Sequence, residues 1–299
     1  MNLKSKKILV TGGNGFIGTN LVKKLTDMGT SVSIFDLSSG YDIQNENHLK
    51  VFIKRKFDII YHLAGLSGPR ESNSQKSAFF KINTLSTINL FELLTKYSPM
   101  TKLIISSSRL EYGNPRYLPI DENHPTIPTS IYGISKLAAT QLALIYHQKN
   151  NLDVTIFRTS NVYGPHPGSK FAGYNVVNHF IDLAKKDGVL KIFGKGDQER
   201  DYLFINDMVD ALILATVKTP SGEIYNLGSG QGIKFKDMAG LLIKKIGKGK
   251  IEFSKWPDGL KVLETGSYVS NISKIKRELG FSPKVSFEEG IDRTIKNLQ

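Results

Sequence analysis

The 299-residue sequence predicts an α/β fold: a doubly wound parallel sheet, with a smaller α/β region towards the C-terminus. Two observations carry this. Short apolar runs alternate with helix-patterned stretches through the first half of the chain, the order that a parallel sheet with crossover helices requires. The first of these runs also ends in glycines spaced to turn sharply into a helix.

The elements follow in order. Lys7 to Val10 reads as a buried strand, followed by Gly12, Gly15 and Gly18 at spacing G-x-x-G-x-x-G and a helix from Thr19 to Met28. Such a turn lets backbone approach a pyrophosphate and aims a helix N-terminus at its charge. A second strand, Val32 to Phe35, ends at Asp36, near the spacing at which an acid hydrogen-bonds a ribose 2′-hydroxyl. The unit therefore reads as a Rossmann-type dinucleotide site, with one more residue between its first two glycines than the usual fingerprint. Leu37 to Lys56 is short and polar, with a helical stretch near His48 to Lys54. Phe57 to Leu63 is a strand running into Ala64-Gly65. Phe79 to Tyr97 has helical spacing, and Lys102 to Ile105 is a strand ending in Ser106-Ser107-Ser108. Thr129 or Ser130 can cap a helix over Ile131 to Lys149, and Val154 to Phe157 is a further strand. From Gly164 the pattern changes: Gly, Pro and polar residues become frequent and helices shorten. We therefore divide the chain into a dinucleotide-binding domain, 1–165, to which residues near 200–228 return, and a substrate-binding region, 166–299.

Composition narrows the class. The chain has no cysteine, which excludes disulfides and thiolate metal sites and fits a cytoplasmic protein. The apolar run after the basic N-terminus is too short for a signal peptide, and no run approaches a membrane span. Forty Lys and Arg against 27 Asp and Glu leave a charge of +13, scattered rather than clustered. That describes a lysine-rich surface, with attraction for an anionic small substrate second and nucleic-acid binding a distant third. The six histidines lack metal-ligand spacing, so no metal is expected.

Tyr132 and Lys136 stand at i and i+4, on one face of the helix that starts near Ile131. An ammonium beside a phenol favours the phenolate, and a phenol so tuned can take a proton from a sugar hydroxyl as hydride leaves the same carbon. A serine at the end of the preceding strand could hydrogen-bond the same oxygen.

With these motifs assembled, the chain resembles the extended short-chain dehydrogenase/reductases, in the NAD-dependent epimerase/dehydratase family acting on nucleotide sugars. The resemblance rests on Thr11 to Gly18, His62-Leu63-Ala64-Gly65, Asn83, Ser106-Ser107-Ser108 with Tyr112-Gly113, and Tyr132 with Lys136. It continues through Arg158 to Pro165, Gly196 to Tyr202 and Tyr225 to Gly228. It implies NAD as cofactor. Gly12, Gly15, Phe16, Ile17 and Gly18 would lie at the pyrophosphate, Asp36 at the adenosine ribose, and Asp42 and Ile43 at the adenine. Leu63, Ala64, Gly65, Asn83, Ser106 and Thr159 would line the rest of the cofactor's path. Tyr132 would be the acid/base, Lys136 the holder of the nicotinamide ribose, and Ser108 the catalytic hydroxyl that also touches substrate. Asn161 and Arg200 would hold the sugar diphosphate. It also implies a homodimer through the helices Asn83 to Tyr97 and Ile131 to Lys149, whose apolar positions include Leu90, Leu94, Leu137, Leu142 and Ile145. A fully buried helix would explain those positions equally well.

Three departures stand out. The segment after Asp36 is short. Where family dehydratases carry Asp-Glu after the catalytic Ser/Thr, this chain has Arg109-Leu110, with Glu111 one residue on. Where family epimerases carry a second phosphate-binding arginine, it has Glu264, in Glu264-Thr265-Gly266-Ser267, and Lys261 could substitute. The expected function is an NAD-dependent nucleotide-sugar epimerase acting at sugar C4 through a transient keto intermediate. The alternatives are an NAD(P)H-dependent reductase of a 4-keto-deoxysugar nucleotide and a non-catalytic dinucleotide-sensing regulator. The loops Pro167 to Val177 and Lys255 to Gly266 are expected to choose base and sugar.

Overall fold

The computed structural model describes residues 3–165 and 175–297. Its centre is a six-stranded parallel sheet. The first strand, β1 (Ile8–Thr11), is buried at every residue and turns into α1 (Phe16–Asp27), then β2 (Val32–Phe35). A crossover through α2 (Glu46–Ile53) brings the chain back to β3 (Ile59–His62), on the other side of β1. Then follow α3 (Pro69–Ser74), α4 (Lys76–Phe80), α5 (Ser86–Tyr97), β4 (Lys102–Ser108), the 20-residue α6 (Ile131–Asn150) and β5 (Val154–Thr159).

Strand alternation sends neighbouring side chains to opposite faces of the sheet. Ile8, Val10, Ile59, Tyr61 and Ile104 therefore enter one core, with Leu21 and Leu25 of α1. Leu9, Ile60, Leu103 and Ile105 enter the other, with Leu49 and Phe52 of α2 and Leu90 and Leu94 of α5. Two-sided burial is why these strands read as continuous apolar runs rather than alternating ones.

The rest of the chain begins with β6 (Asn161–Tyr163), α7 (Val176–Lys185), β7 (Val189–Phe193), β8 (Glu199–Phe204) and α8 (Ile205–Lys218). It continues through β9 (Glu223–Leu227), β10 (Gly232–Lys234), α9 (Phe235–Ile246), β11 (Lys250–Ser254), α10 (Ser273–Leu279) and α11 (Phe287–Asn297). β9 completes the large sheet, in the order β2-β1-β3-β4-β5-β9. A three-stranded sheet, β10-β8-β6, and a parallel pair, β11-β7, lie outside it. Val177, Phe180, Leu190, Met238 and Leu242 extend the first core into this region.

Several boundaries differ from expectation for local reasons. Phe57 and Asp58 precede β3 instead of joining it: the Phe57 carbonyl accepts from Thr101 Oγ1, and the Asp58 carboxylate accepts from Lys7 N and Lys6 Nζ. The helix expected from Phe79 to Tyr97 is broken by a π-turn, Lys81–Leu85. That turn carries Asn83, whose Nδ2 donates to the Leu66 carbonyl and Ser135 Oγ while its Oδ1 accepts from Leu66 N. The α3 helix was not anticipated; its signal was Pro69 at the first helical position after Gly68. Ser130 caps α6, accepting from Gly133 N at 3.1 Å. Leu90 and Leu94 are wholly buried in the chain's own core, which accounts for two of the apolar positions that suggested a dimer face. Among the described residues no helix is long and apolar enough to cross a membrane. Of the loop expected over Pro167 to Val177, Pro167 to Tyr174 lies outside the described residues.

Candidate active site

The glycine turn sits at the carboxyl end of β1, pressed against the turn after β3. Gly12 has φ +70°, and a Cβ there would lie 2.7 Å from Ala64 N. A Cβ on Gly18 would lie 2.1 Å from the Gly12 carbonyl, so helix and turn close only without side chains. At the α1 N-terminus no side chain caps Gly15 and no acid stands in the first turn, so the helix itself brings no anion to its positive end. Asp36, at the end of β2, faces this turn: Oδ2 accepts from Asn14 N at 3.1 Å and Oδ1 from Ser38 N and Oγ. Asn14 Nδ2 also donates to Ser38 Oγ and Ser39 Oγ. Ile43 is buried under the second face of the sheet, and Asp42 accepts from Gln44 N. These residues fit a dinucleotide: a side-chain-free cradle, a helix N-terminus and an acid at the end of the neighbouring strand.

Along the same edge, Leu63 N donates to the Thr11 carbonyl, Ala64 N to Thr11 Oγ1, and a Cβ on Gly65 would meet Asn83 Oδ1. Asn83 thus braces this wall through two hydrogen bonds to Leu66 and ties it to α6 through a third to Ser135. His62 bridges Thr11 and Thr87 inside the sheet, and burial drives its pKa down to about 3, so it is a neutral structural link.

β4 ends at Ser108, paired in register with Thr159 of β5. Ser106 and Thr159 hydroxyls lie 3.4 Å apart. Across from them α6 presents Tyr132 and Lys136. Lys136 Nζ donates to the Ser106 carbonyl at 2.7 Å, and burial brings its pKa down to about 8 against the upward pull of Glu111. Burial raises the Tyr132 phenol, while hydrogen bonds with the Ser108 and Ser67 hydroxyls pull it down, Glu111 raises it and Arg109 lowers it. This differs from the expectation that Lys136 itself tunes the phenol: its ammonium is engaged by a strand carbonyl, and the downward pull comes from two hydroxyls and a guanidinium. Ser67, in the loop after β3, had no sequence signal, because the loop's return to α6 depends on Asn83.

Glu111 turns inward. Its wholly buried carboxylate accepts from Arg158 Nε at 2.7 Å, from Thr140 Oγ1 at 2.7 Å and from Ser107 Oγ. Arg158 Nη1 donates to Tyr112 OH, which donates to Asn226 Oδ1, and Asn226 Nδ2 donates to the Ile120 carbonyl. Asn226 is therefore a tie between loops. Leu110 and Arg109, not acids, follow Ser108.

At the other end, Asn161 Nδ2 donates to the Asp201 carbonyl at 3.0 Å. Arg200 has neither Asp201 nor Glu199 as its ion-pair partner. Its Nη2 meets Glu264 Oε1 at 2.5 Å and its Nη1 donates to the Gly266 carbonyl at 2.6 Å. Lys261 is exposed on the short turn Lys261–Leu263 and forms no ion pair with this cluster. Arg109 and Tyr268 belong to the same cluster and are not among the candidate site residues read from the sequence, whereas Thr265 lies in the Lys255 to Gly266 loop expected to choose base and sugar. No metal-competent group of His, Asp and Glu occurs among the described residues.

Comparison with known proteins agrees with this architecture. The NAD dependent epimerase/dehydratase family matches residues 8–228. A putative UDP-glucose 4-epimerase of Methanocaldococcus jannaschii is 31% identical over 96% of this chain and 97% of its own. The crystal structure of a Thermotoga maritima UDP-glucose 4-epimerase with UDP-glucose superposes with TM-score 0.90 at 29% identity, covering 98% of both chains. MoeE5, solved with NAD and either UDP-glucuronic acid or UDP-glucose, superposes with TM-score 0.88 at 26% identity, covering 98% of both chains.

The buried node gives a stability prediction. Glu111→Ala strands the Arg158 charge and should cost about 3–5 kcal/mol. Glu111→Gln, which keeps the shape and part of the hydrogen bonding, should cost less. Urea unfolding of the two variants, compared with the parent, measures both.

Proposed function

The chain belongs to the NAD-dependent epimerase/dehydratase family, and on that premise we propose that it interconverts UDP-hexoses by epimerisation at sugar C4. The observation that carries this reading is the meeting of Tyr132, Ser108 and Lys136 at the end of β4, with Leu110 and Arg109 where an elimination would need acids. Leucine transfers no proton, and an arginine stays protonated.

The dinucleotide would lie with its pyrophosphate on Gly12 to Gly18 and its adenosine ribose at Asp36. Asp36 would repel a 2′-phosphate, and no arginine follows it before Arg55, which supports NAD over NADP. Bound NAD supplies a hydride acceptor at C4 that can give the hydride back to the other face. The chain's own residues handle the proton. Tyr132 removes it from the C4 hydroxyl, and Ser108 holds the same oxygen while charge builds there. After the keto sugar turns over, Tyr132 returns the proton to the new alcohol. Lys136, cationic below about pH 8, would hold the nicotinamide ribose. Asn161 and Arg200 hold the diphosphate. Residues 1–165, with those near 200–228, would carry the cofactor, and the rest of 166–299 the sugar nucleotide.

A reductase would use the same residues and differ in redox balance, whereas a regulator would have no use for the Tyr132, Ser108 and Lys136 set. The absence of cysteine supports a cytoplasmic enzyme. For a homodimer, the candidate face is the outer side of α5 and α6. There Ile145 is 44% exposed and lines a cleft of about 460 Å³ with Tyr146 and the polar Glu92, Thr95, Lys96, Lys149 and Asn150, a mixed surface that a second copy could cover.

Three outcomes are expected. UDP-glucose should convert to its C4 epimer by NMR without sustained change at the reduced-nicotinamide absorbance band; NADH loss matched to product would make the enzyme a reductase. Tyr132→Phe should lower kcat about 100- to 10,000-fold with NAD binding kept, and retention of most of the turnover would remove Tyr132 from the mechanism. Light scattering at micromolar concentration should give a dimer mass, which Ile145→Asp should halve.

A further inference from the structure

Two guanidinium groups and one carboxylate meet where the ends of β4 and β8 approach residues 264–268. Arg200 is paired with Glu264, whose Oε1 also accepts from Gly266 N at 2.9 Å. Arg109 lies 5.1 Å over the Tyr268 ring and donates Nη1 to Thr265 Oγ1 at 3.3 Å. Among the described residues no carboxylate hydrogen-bonds Arg109. The two cations stand in each other's field: burial, then Arg200, lowers the Arg109 pKa to about 10, with Glu264 opposing. Counted as formal charges, the cluster keeps one positive charge in excess. A like-charged pair in a half-buried place is unfavourable unless an anion sits between its members.

We propose that Arg109 and Arg200 form a two-arginine clamp for the substrate's diphosphate, and that Glu264 is a tethered stand-in for that diphosphate, displaced when substrate binds. This rests on the nucleotide-sugar reading above. Carboxylate and phosphoryl oxygens take the same paired N–H groups of a guanidinium. Once the carboxylate leaves, the two negative charges of a diphosphate match the two arginines, whereas with it in place the site would be over-filled by one.

Glu264 can leave. Its side chain is 20% exposed, against 10% for Arg200, and it lines an open cleft of about 530 Å³ with Asn114, Arg116 and Tyr117. Beside it, Gly266 has φ +71° and no atom near its would-be Cβ, so open space adjoins the carboxylate, and its release breaks the pairing with Arg200 and the bond from Gly266 N. Arg109 directly follows Ser108, so the clamp begins one residue from the candidate catalytic hydroxyl. Lys261 is not needed as the second cation. A stand-in that must be displaced lowers the fraction of binding-competent enzyme and raises the apparent Kd by that fraction.

The test is calorimetric titration of NAD-loaded enzyme with UDP and with UMP. Glu264→Gln should tighten UDP about tenfold, and UMP, with one phosphate fewer, by less. Arg109→Gln should weaken UDP about 10- to 100-fold, and by the same factor for UDP-glucose and UDP-glucuronic acid. Lys261→Ala should change nothing. Unchanged or weaker UDP binding by Glu264→Gln overturns the stand-in. If Arg109→Gln weakens UDP-glucuronic acid alone, Arg109 reads an acid on the sugar and the clamp is wrong. If the parent binds UDP but the variants do not shift, only the clamp falls; if the parent binds no UDP, the nucleotide-sugar reading falls with it. Should Arg109→Gln fail to fold, judged by melting temperature and NAD content, Glu264→Gln decides alone.

Discussion

The candidate site depends on one buried ion pair. Glu111 and Arg158 lie behind the strand ends, and the carboxylate collects hydrogen bonds from β4 through Ser107, from β5 through Arg158 and from α6 through Thr140. Those elements also carry Ser108, Thr159 and the Tyr132/Lys136 pair. In a low-dielectric interior, charge paired at 2.7 Å is compatible with burial only when the remaining lone pairs are satisfied, and here they are. The pair is weak evidence of net stability, because desolvation offsets much of its attraction. What it provides is register: β4, β5 and α6 cannot slide past one another without stranding a charge.

The same node sets the field in which the acid/base group works. Glu111 favours the ammonium of Lys136 and opposes the phenolate of Tyr132, so its charge acts on the two groups in opposite senses for catalysis. Arg109 and the hydroxyls of Ser108 and Ser67 act the other way on the phenol. In the protein alone burial prevails and the phenol stays high. The residues therefore favour a protonated resting tyrosine, and the positive charge that tips it towards proton abstraction has to arrive with the bound cofactor.

Much of this was legible in the sequence because it depends on local pattern. The glycine spacing, the existence of the apolar strands, the α6 cap and the i, i+4 relation of Tyr132 and Lys136 each involve residues close in the chain, and each is found, with β3 shorter than read. Fewer of the long-range partners could be read. Glu111 looked like a misplaced acid until Arg158 and Thr140 met it. Arg200 carried two acids beside it in sequence, yet took Glu264, because β8 pairs with β10 and bridges to Tyr268, bringing the 264–268 segment alongside. The π-turn at Lys81–Leu85 breaks an otherwise plausible helical stripe, and only the tie from Asn83 to Leu66 and Ser135 explains it.

The last strand of the large sheet comes from far along the chain. β5 is flanked on one side by β4, already made when β5 emerges, and on the other by β9. Between β5 and β9 lie β6, α7, β7, β8 and α8. During synthesis the open side of Val154–Thr159 must therefore remain an unpaired apolar edge until residues 223–227 have left the ribosome. An edge of that kind is a template for pairing with other chains, and late, non-local pairing is slow. Passage through biosynthesis, rather than the finished fold, is then the stage at which this chain is most exposed to aggregation.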